Sequence, residues 1–327
     1  MTRVLLCLSL ATASVLAQFG PVGPTATFLT LFPDARTVAL GSAGVALDDL
    51  DANTYYNPAN IAFGPRLAAT WTHVNWVPHM FYGMSIDHGG VTCRVGDRFG
   101  AAANVLYMQD GLQEVYTEHG EFVGSYRPHD IAAGVSAAYR LLPSLSAGVT
   151  ANVIYQFIYP AWAYPDPWPW QFPRNGDAAT FACDAGVQYR PQDALTLGFA
   201  VANLGPDIRF DTTESYFLPR TGRVGFAVRP PIPGPVSATV TGELSRDLFP
   251  AVEGRDLYHW GTGIELEFAR LAFVRLGYLH YDRDGRRGFT WGVGLQHRGI
   301  SLDVGIDSGV YQEPDTRNVR FQLSARL

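Results

Sequence analysis

Ser144-Leu145-Ser146-Ala147-Gly148-Val149-Thr150-Ala151-Asn152-Val153-Ile154-Tyr155-Gln156-Phe157-Ile158 is the stretch that decides the fold. Leu145, Ala147, Val149, Ala151, Val153, Tyr155 and Phe157 share one phase of a period of two, and Ser146, Gly148, Thr150, Asn152 and Gln156 share the other. Successive strand side chains point to opposite faces, so this segment makes one apolar wall and one polar wall. The same alternation returns in Trp260, Thr262, Ile264, Leu266 and Phe268 against His259, Gly261, Gly263, Glu265 and Glu267. It returns again in Ile300, Leu302, Val304 and Ile306 against Ser301, Asp303 and Asp307, and in the final run from Val319 to Leu327.

About fourteen such runs can be counted from residue 66 onward, each about 10–13 residues long. Strands of a soluble sandwich average about 5–6 residues, whereas a tilted membrane-crossing strand needs about 9–11. The run over 80–95, which contains His88-Gly89-Gly90, alternates least clearly. The connections supply a second criterion. Arg140–Ser144, Arg190–Asp193, Ala269-Arg270 and Arg298-Gly299 read as tight turns, and long loops fall between them at about 109–128, 159–177, 204–218, 247–256 and 310–317. Short turns at one end and long loops at the other belong to an outer-membrane β-barrel. The expected fold is therefore all-β, a transmembrane antiparallel barrel of about 14 strands over residues 66–327. Tyr155, Phe157, Tyr189, Trp260 and Tyr281 read as aromatic girdles on its outer surface.

Composition agrees. The 327 residues are 47% hydrophobic and only 17% charged, too apolar for disorder, and 22 Pro with 34 Gly are too many for a helical bundle. The net charge of −6 excludes a basic nucleic-acid binder as the default. Residues 1–17, MTRVLLCLSLATASVLA, read as a cleaved secretory signal peptide, with Val15 and Ala17 before the cut. Beyond it only Cys93 and Cys183 remain, and both read as isolated small residues rather than a disulfide framework.

Residues 18–65 do not alternate, and Gly20-Pro21, Gly23-Pro24, Phe32-Pro33 and Asn57-Pro58 punctuate them. A fourteen-stranded barrel has a lumen too wide for its own side chains to fill, so this segment is expected to fold inside as a plug. Glycines of the inward phase, among them Gly148, Gly186, Gly261 and Gly263, let plug backbone approach the wall.

The segment from Phe28 to Ala46, which contains Arg36, Gly41 and Gly44, is followed by Tyr55-Tyr56-Asn57-Pro58-Ala59. Together they resemble the N-terminal signature of the PorV/PorQ family, outer-membrane barrels related to the FadL transporters of hydrophobic compounds. Val201–Pro206 with Phe217–Arg220 resembles a second block of that family. The resemblance implies a plug motif made of Arg36, Gly41, Gly44, Asn57, Pro58 and Ala59, and a location in the cell outer membrane. It also implies a part in type IX secretion, as carrier or attachment component for cargo recognised through C-terminal sorting domains. The alternative within the same fold is a FadL-like channel for hydrophobic small molecules.

No catalytic motif survives inspection. Asp307-Ser308-Gly309 and Asp282-Arg283-Asp284-Gly285 read as turns, and the eight His lack metal-ligand spacing. No enzyme activity, cofactor or metal is expected. The inward charges Asp184, Glu243, Glu265, Glu267, Arg275, Asp303, Asp307, Arg320 and Arg326 are expected to pair across the lumen, because unpaired buried charge is costly. Tyr159–Pro173 is the most unusual loop. Its prolines stiffen a row of aromatics, Trp162, Tyr164, Trp168, Trp170 and Phe172, which makes it a candidate extracellular contact surface. The partners expected from this reading are outer-membrane lipid, secreted cargo and type IX components, with no nucleic acid.

Overall fold

The computed structural model describes residues 24–47, 54–78, 82–117, 119–163, 176–210, 215–248, 257–282, 285–307 and 316–327. The signal peptide at 1–17 lies outside them. Fourteen strands form one closed antiparallel barrel in chain order. They are β1 (Leu67–Asn75), β2 (Met84–Val95), β3 (Phe99–Asp110), β4 (His129–Leu142), β5 (Leu145–Phe157), β6 (Asp177–Gln192) and β7 (Leu195–Leu204). The second half is β8 (Thr221–Val228), β9 (Val236–Asp247), β10 (Tyr258–Phe268), β11 (Ala272–Tyr281), β12 (Arg286–His297), β13 (Ile300–Ile306) and β14 (Val319–Arg326). Pairing of β1 with β14, Trp71 opposite Leu323, closes the ring and leaves no free edge.

The two faces separate as the alternation requires. Val149 and Val153 are 58% and 62% exposed on the outer wall, while Ser146 and Thr150 are 0% and 3% exposed inside. In a bilayer every backbone polar group must be satisfied within the protein, and only a closed barrel achieves this with strands. Chain closure places the base of β1 and the end of β14 at the same rim as the tight turns. One of these, Arg298-Gly299, has positive φ at both residues (49° and 83°), the geometry that follows the right-handed strand twist.

Three features depart from the sequence reading. His88-Gly89-Gly90 does not interrupt β2, whose pairing with β1 and β3 is continuous, because glycine keeps the ladder while giving up only side-chain packing. Tyr281 is not part of an outer girdle. It is 4% exposed, paired with His259 across the lumen face and edge-on to Phe32. The long loops also carry two small hairpins that alternation alone did not mark, Gln113–Tyr116 with Phe122–Tyr126 and Ile208–Arg209 with Ser215–Tyr216. Cys93 and Cys183 are free and exposed on the outer wall.

Candidate functional site: the filled lumen

Residues 24–47 and 54–65 lie within the barrel and fill it. A short helix, α1 (Ala35–Ala39), starts at Asp34, whose carboxylate accepts the Thr37 amide at 2.8 Å and also bonds the Thr37 hydroxyl. This cap satisfies a backbone donor in a place without bulk water. From the helix Arg36 reaches the wall and meets Glu265 in a bidentate pair, Nε to Oε2 at 2.8 Å and Nη2 to Oε1 at 2.7 Å. Glu265 Oε2 also accepts from Arg275 Nε at 2.6 Å, and Arg275 Nη1 donates to Asp303 at 2.6 Å. Two cations and two carboxylates thus form one buried chain that ties α1 to β10, β11 and β13.

The rest of this half is equally specific. Glu243 accepts the amides of Gly44 and Val45 at 2.9 and 2.8 Å and faces Arg223 at 3.9 Å. Arg223 in turn donates to the Tyr55 carbonyl at 3.1 Å and lies over the Tyr55 ring. Arg320 joins Asp307 at 2.9 Å and the Phe32 carbonyl at 3.0 Å. Gly41 has φ +69°, and its carbonyl sits where a Cβ on Gly261 would collide with it. Backbone touches backbone here, which only glycine permits.

Asn57 is the second anchor. Its Oδ1 caps the 3-10 turn Pro58–Ala62 through the Ala59 amide at 3.0 Å. Its Nδ2 donates to Val45 O within the segment at 3.0 Å and to Val187 O of the wall at 3.1 Å. Pro58 begins the turn, where its missing N–H costs nothing, and the Ala59 carbonyl accepts from Ser146 at 2.9 Å.

Towards the long-loop rim the lumen changes character. Trp76, Met84, Ile86, Leu106, Met108 and Ile154 form an apolar wall on β1–β5 and the start of their loops, and Phe28 and Leu29 pack against it at 2% and 7% exposure. The stretch carrying them is held by Gln156, whose Oε1 accepts from Thr25 Oγ1 at 2.8 Å and the Ala26 amide at 3.1 Å, by the Phe217 carbonyl, which accepts the Thr25 amide at 3.1 Å, and by the Tyr55 hydroxyl, which donates to the Leu29 carbonyl at 2.9 Å. Beneath it lies a small polar cavity of about 40 Å³ bordered by Leu29, Tyr55, His88, Asn104, Asn152 and Arg223. That is room for two or three waters at roughly 15 Å³ of probe volume each.

All of Arg36, Gly41, Gly44, Asn57, Pro58 and Ala59 are buried in this contact between segment and wall. Among the contact-loop residues, Tyr164, Trp168, Trp170 and Phe172 lie outside the described residues. Trp162 is 46% exposed and stands edge-on to Tyr126 of the neighbouring hairpin. The apolar wall departs from the polar inner wall that the alternation implies. Its signal was present in β5, where Ile154 breaks the polar phase between Asn152 and Gln156.

No protein-family model matches the chain, and no curated protein matches it in sequence. Solved structures do match its architecture. The CymD monoaromatic hydrocarbon channel aligns over 94% of this chain and 99% of its own, with TM-score 0.58 and 11% identity. The Pseudomonas putida toluene transporter TodX aligns over 89% and 97%, with TM-score 0.54 and 12% identity. A Pseudomonas aeruginosa FadL homologue aligns over 94% and 98%, with TM-score 0.50 and 12% identity. This chain has the fold of those outer-membrane barrels. At such identities the likeness speaks for architecture alone.

Proposed function

We propose that this protein is a non-enzymatic outer-membrane passage for small apolar molecules. The observation that supports the reading best is the apolar wall under the long-loop rim, occupied by Phe28 and Leu29 of the chain itself. Such a surface accepts apolar guests through non-directional contacts, and its two methionines adapt to irregular shapes. A guest would replace the Phe28 and Leu29 side chains there as the 25–31 stretch moves aside. The barrel likeness to hydrocarbon channels is consistent with that class of solute.

Uptake of toluene by cells carrying the protein tests the proposal. Wild type is expected to exceed empty-vector cells, and Ile86→Asn, which puts an amide on the apolar wall, is expected to reduce uptake several-fold. Its barrel should still show heat-modifiable gel migration. Wild-type uptake equal to the vector control would overturn the reading.

A second reading, carriage of secreted cargo in type IX secretion, is favoured by a different observation. The long-loop rim presents Tyr116 and Phe122 in edge contact at 5.6 Å, with exposed Val123 and Trp162 beside them. Exposed aromatics on a braced hairpin suit protein contacts. Capture of a cargo C-terminal sorting domain by wild type, lost in Phe122→Ala with Trp162→Ala, would support this role.

A further inference from the structure

The outer wall is not smooth. At the tight-turn end a trough of about 480 Å³ crosses β3–β7, with Ala137, Ala147 and Ala185 low between Phe99, Tyr139 and Phe199. The pairing explains the relief. Ala147 lies between Tyr139 on one side and Val187 on the other, and Ala185 lies opposite Val149, so small outward side chains alternate with large ones across the sheet. From within, Gly148 and Gly186 hold the same strands close to the segment inside. A Cβ on Gly148 would come within 2.6 Å of the Pro58 carbonyl carbon, and one on Gly186 would meet the Asn57 side chain. The wall is thin where its outer residues are smallest, with glycine on its inner face and alanine on its outer one.

The charge at this end is not neutral. The described turns and the approach to β1 carry Arg66, Arg98, Arg229, Arg270 and Arg298 against Asp97 and Asp193. Exposed Arg98 directly precedes Phe99, which lines the mouth of the trough. At about 3.3 Å per residue, Arg98 lies roughly 10 Å along the strand from Ala101 and its partner Ala137, or about 7–8 Å closer to the rim once the strand tilt is allowed for. That is the arrangement of a headgroup above the first half of an acyl chain, and anionic headgroups are attracted to arginines at a membrane surface.

We propose that this trough seats one acyl chain of an anionic phospholipid of the inner leaflet, with Arg98 at its phosphate. The site is separate from the lumen, and occupancy does not depend on what crosses it. Native mass spectrometry of the detergent-solubilised barrel tests it with added phosphatidylglycerol or phosphatidylcholine of identical chains. Wild type is expected to retain one phosphatidylglycerol several-fold more than phosphatidylcholine. Ala147→Trp, which fills the trough from its outward side, is expected to lose the bound lipid while keeping heat-modifiable migration. If that variant does not fold, Ala185→Leu serves the same purpose. Arg98→Gln is expected to keep a lipid but lose the preference between headgroups. Equal retention of both lipids by wild type, or unchanged retention in the filled variant, overturns the proposal. So does a wild-type mass of two chains that Ala147→Trp reduces to one, because the occupant would then be a second copy.

Discussion

The two halves of the internal segment both pack on apolar wall, but only one of them is also tied by buried charge. Residues 34–47, with 57–62, are fixed by directional bonds: the Arg36–Glu265–Arg275–Asp303 chain, Glu243 on two amides, and Asn57 on four backbone groups. Residues 25–31 rest on an apolar wall and have only uncharged polar anchors there: Gln156, the Phe217 carbonyl and the Tyr55 hydroxyl. Buried charges lose their compensation if shifted by an ångström, so the first half has one acceptable position. Apolar contact is proportional to area and tolerates rearrangement. Motion that opens the lumen is therefore expected in 25–31 and not in the charged half.

Glu265→Gln is the hardest test of that contrast. It leaves Arg36 and Arg275 sharing a neutral amide, and breaking a buried pair from one side costs about 3–5 kcal/mol. The urea midpoint of heat-modifiable migration should fall sharply. Replacing Arg36 and Glu265 together by Met should recover much of the loss, since Arg275 keeps Asp303. A Glu265→Gln barrel as stable as wild type would mean that the charged chain contributes nothing to the closed state.

Gly261→Ala is the next in size. One methyl placed against the Gly41 carbonyl overpacks a backbone contact, which costs roughly 1–3 kcal/mol. Hydrogen exchange should rise across 35–47 and leave 26–31 unchanged. Equal loosening of both stretches would show that the halves move as one body.

The barrel was legible because lipid and lumen impose opposite polarity on alternate residues, and Ser144–Ile158 records both phases within one strand. The inward charges could be recognised one by one, but not their partners. Arg36 and Glu265 are 229 residues apart, and only the closed ring brings them together. Tyr281 was misplaced for a physical reason: near the mouth the inner wall is itself aromatic and apolar, so polarity ceases to report the face. The apolar wall is hidden in the sequence on the same grounds. Met84, Ile86, Leu106, Met108 and Ile154 each occupy the inward phase of a strand whose deeper inward residues are polar or small.

Gln156→Ala should have the smallest effect on the fold and the most selective effect on the segment. It removes the acceptor for Thr25 Oγ1 and the Ala26 amide, together with a donor to Asp130 at 3.1 Å. Each such bond is worth about 0.5–1.5 kcal/mol, and the Ala26 amide can turn to water only if the stretch lifts from the wall. Because the freed groups return to water when the stretch lifts, the barrel stability should drop by only the low end of the sum for three bonds, about 1.5–2 kcal/mol. Exchange protection should fall at 25–31 while 35–47, held by Glu265 and Glu243, stays protected. If the apolar wall receives the solute, toluene uptake should rise in this variant, because less work is needed to expose it. Faster exchange with unchanged uptake would separate the mobility of 25–31 from transport and weaken the passage reading. Unchanged exchange would show that the apolar contact of Phe28 and Leu29, with the bonds to the Phe217 carbonyl and the Tyr55 hydroxyl, secures the stretch without Gln156.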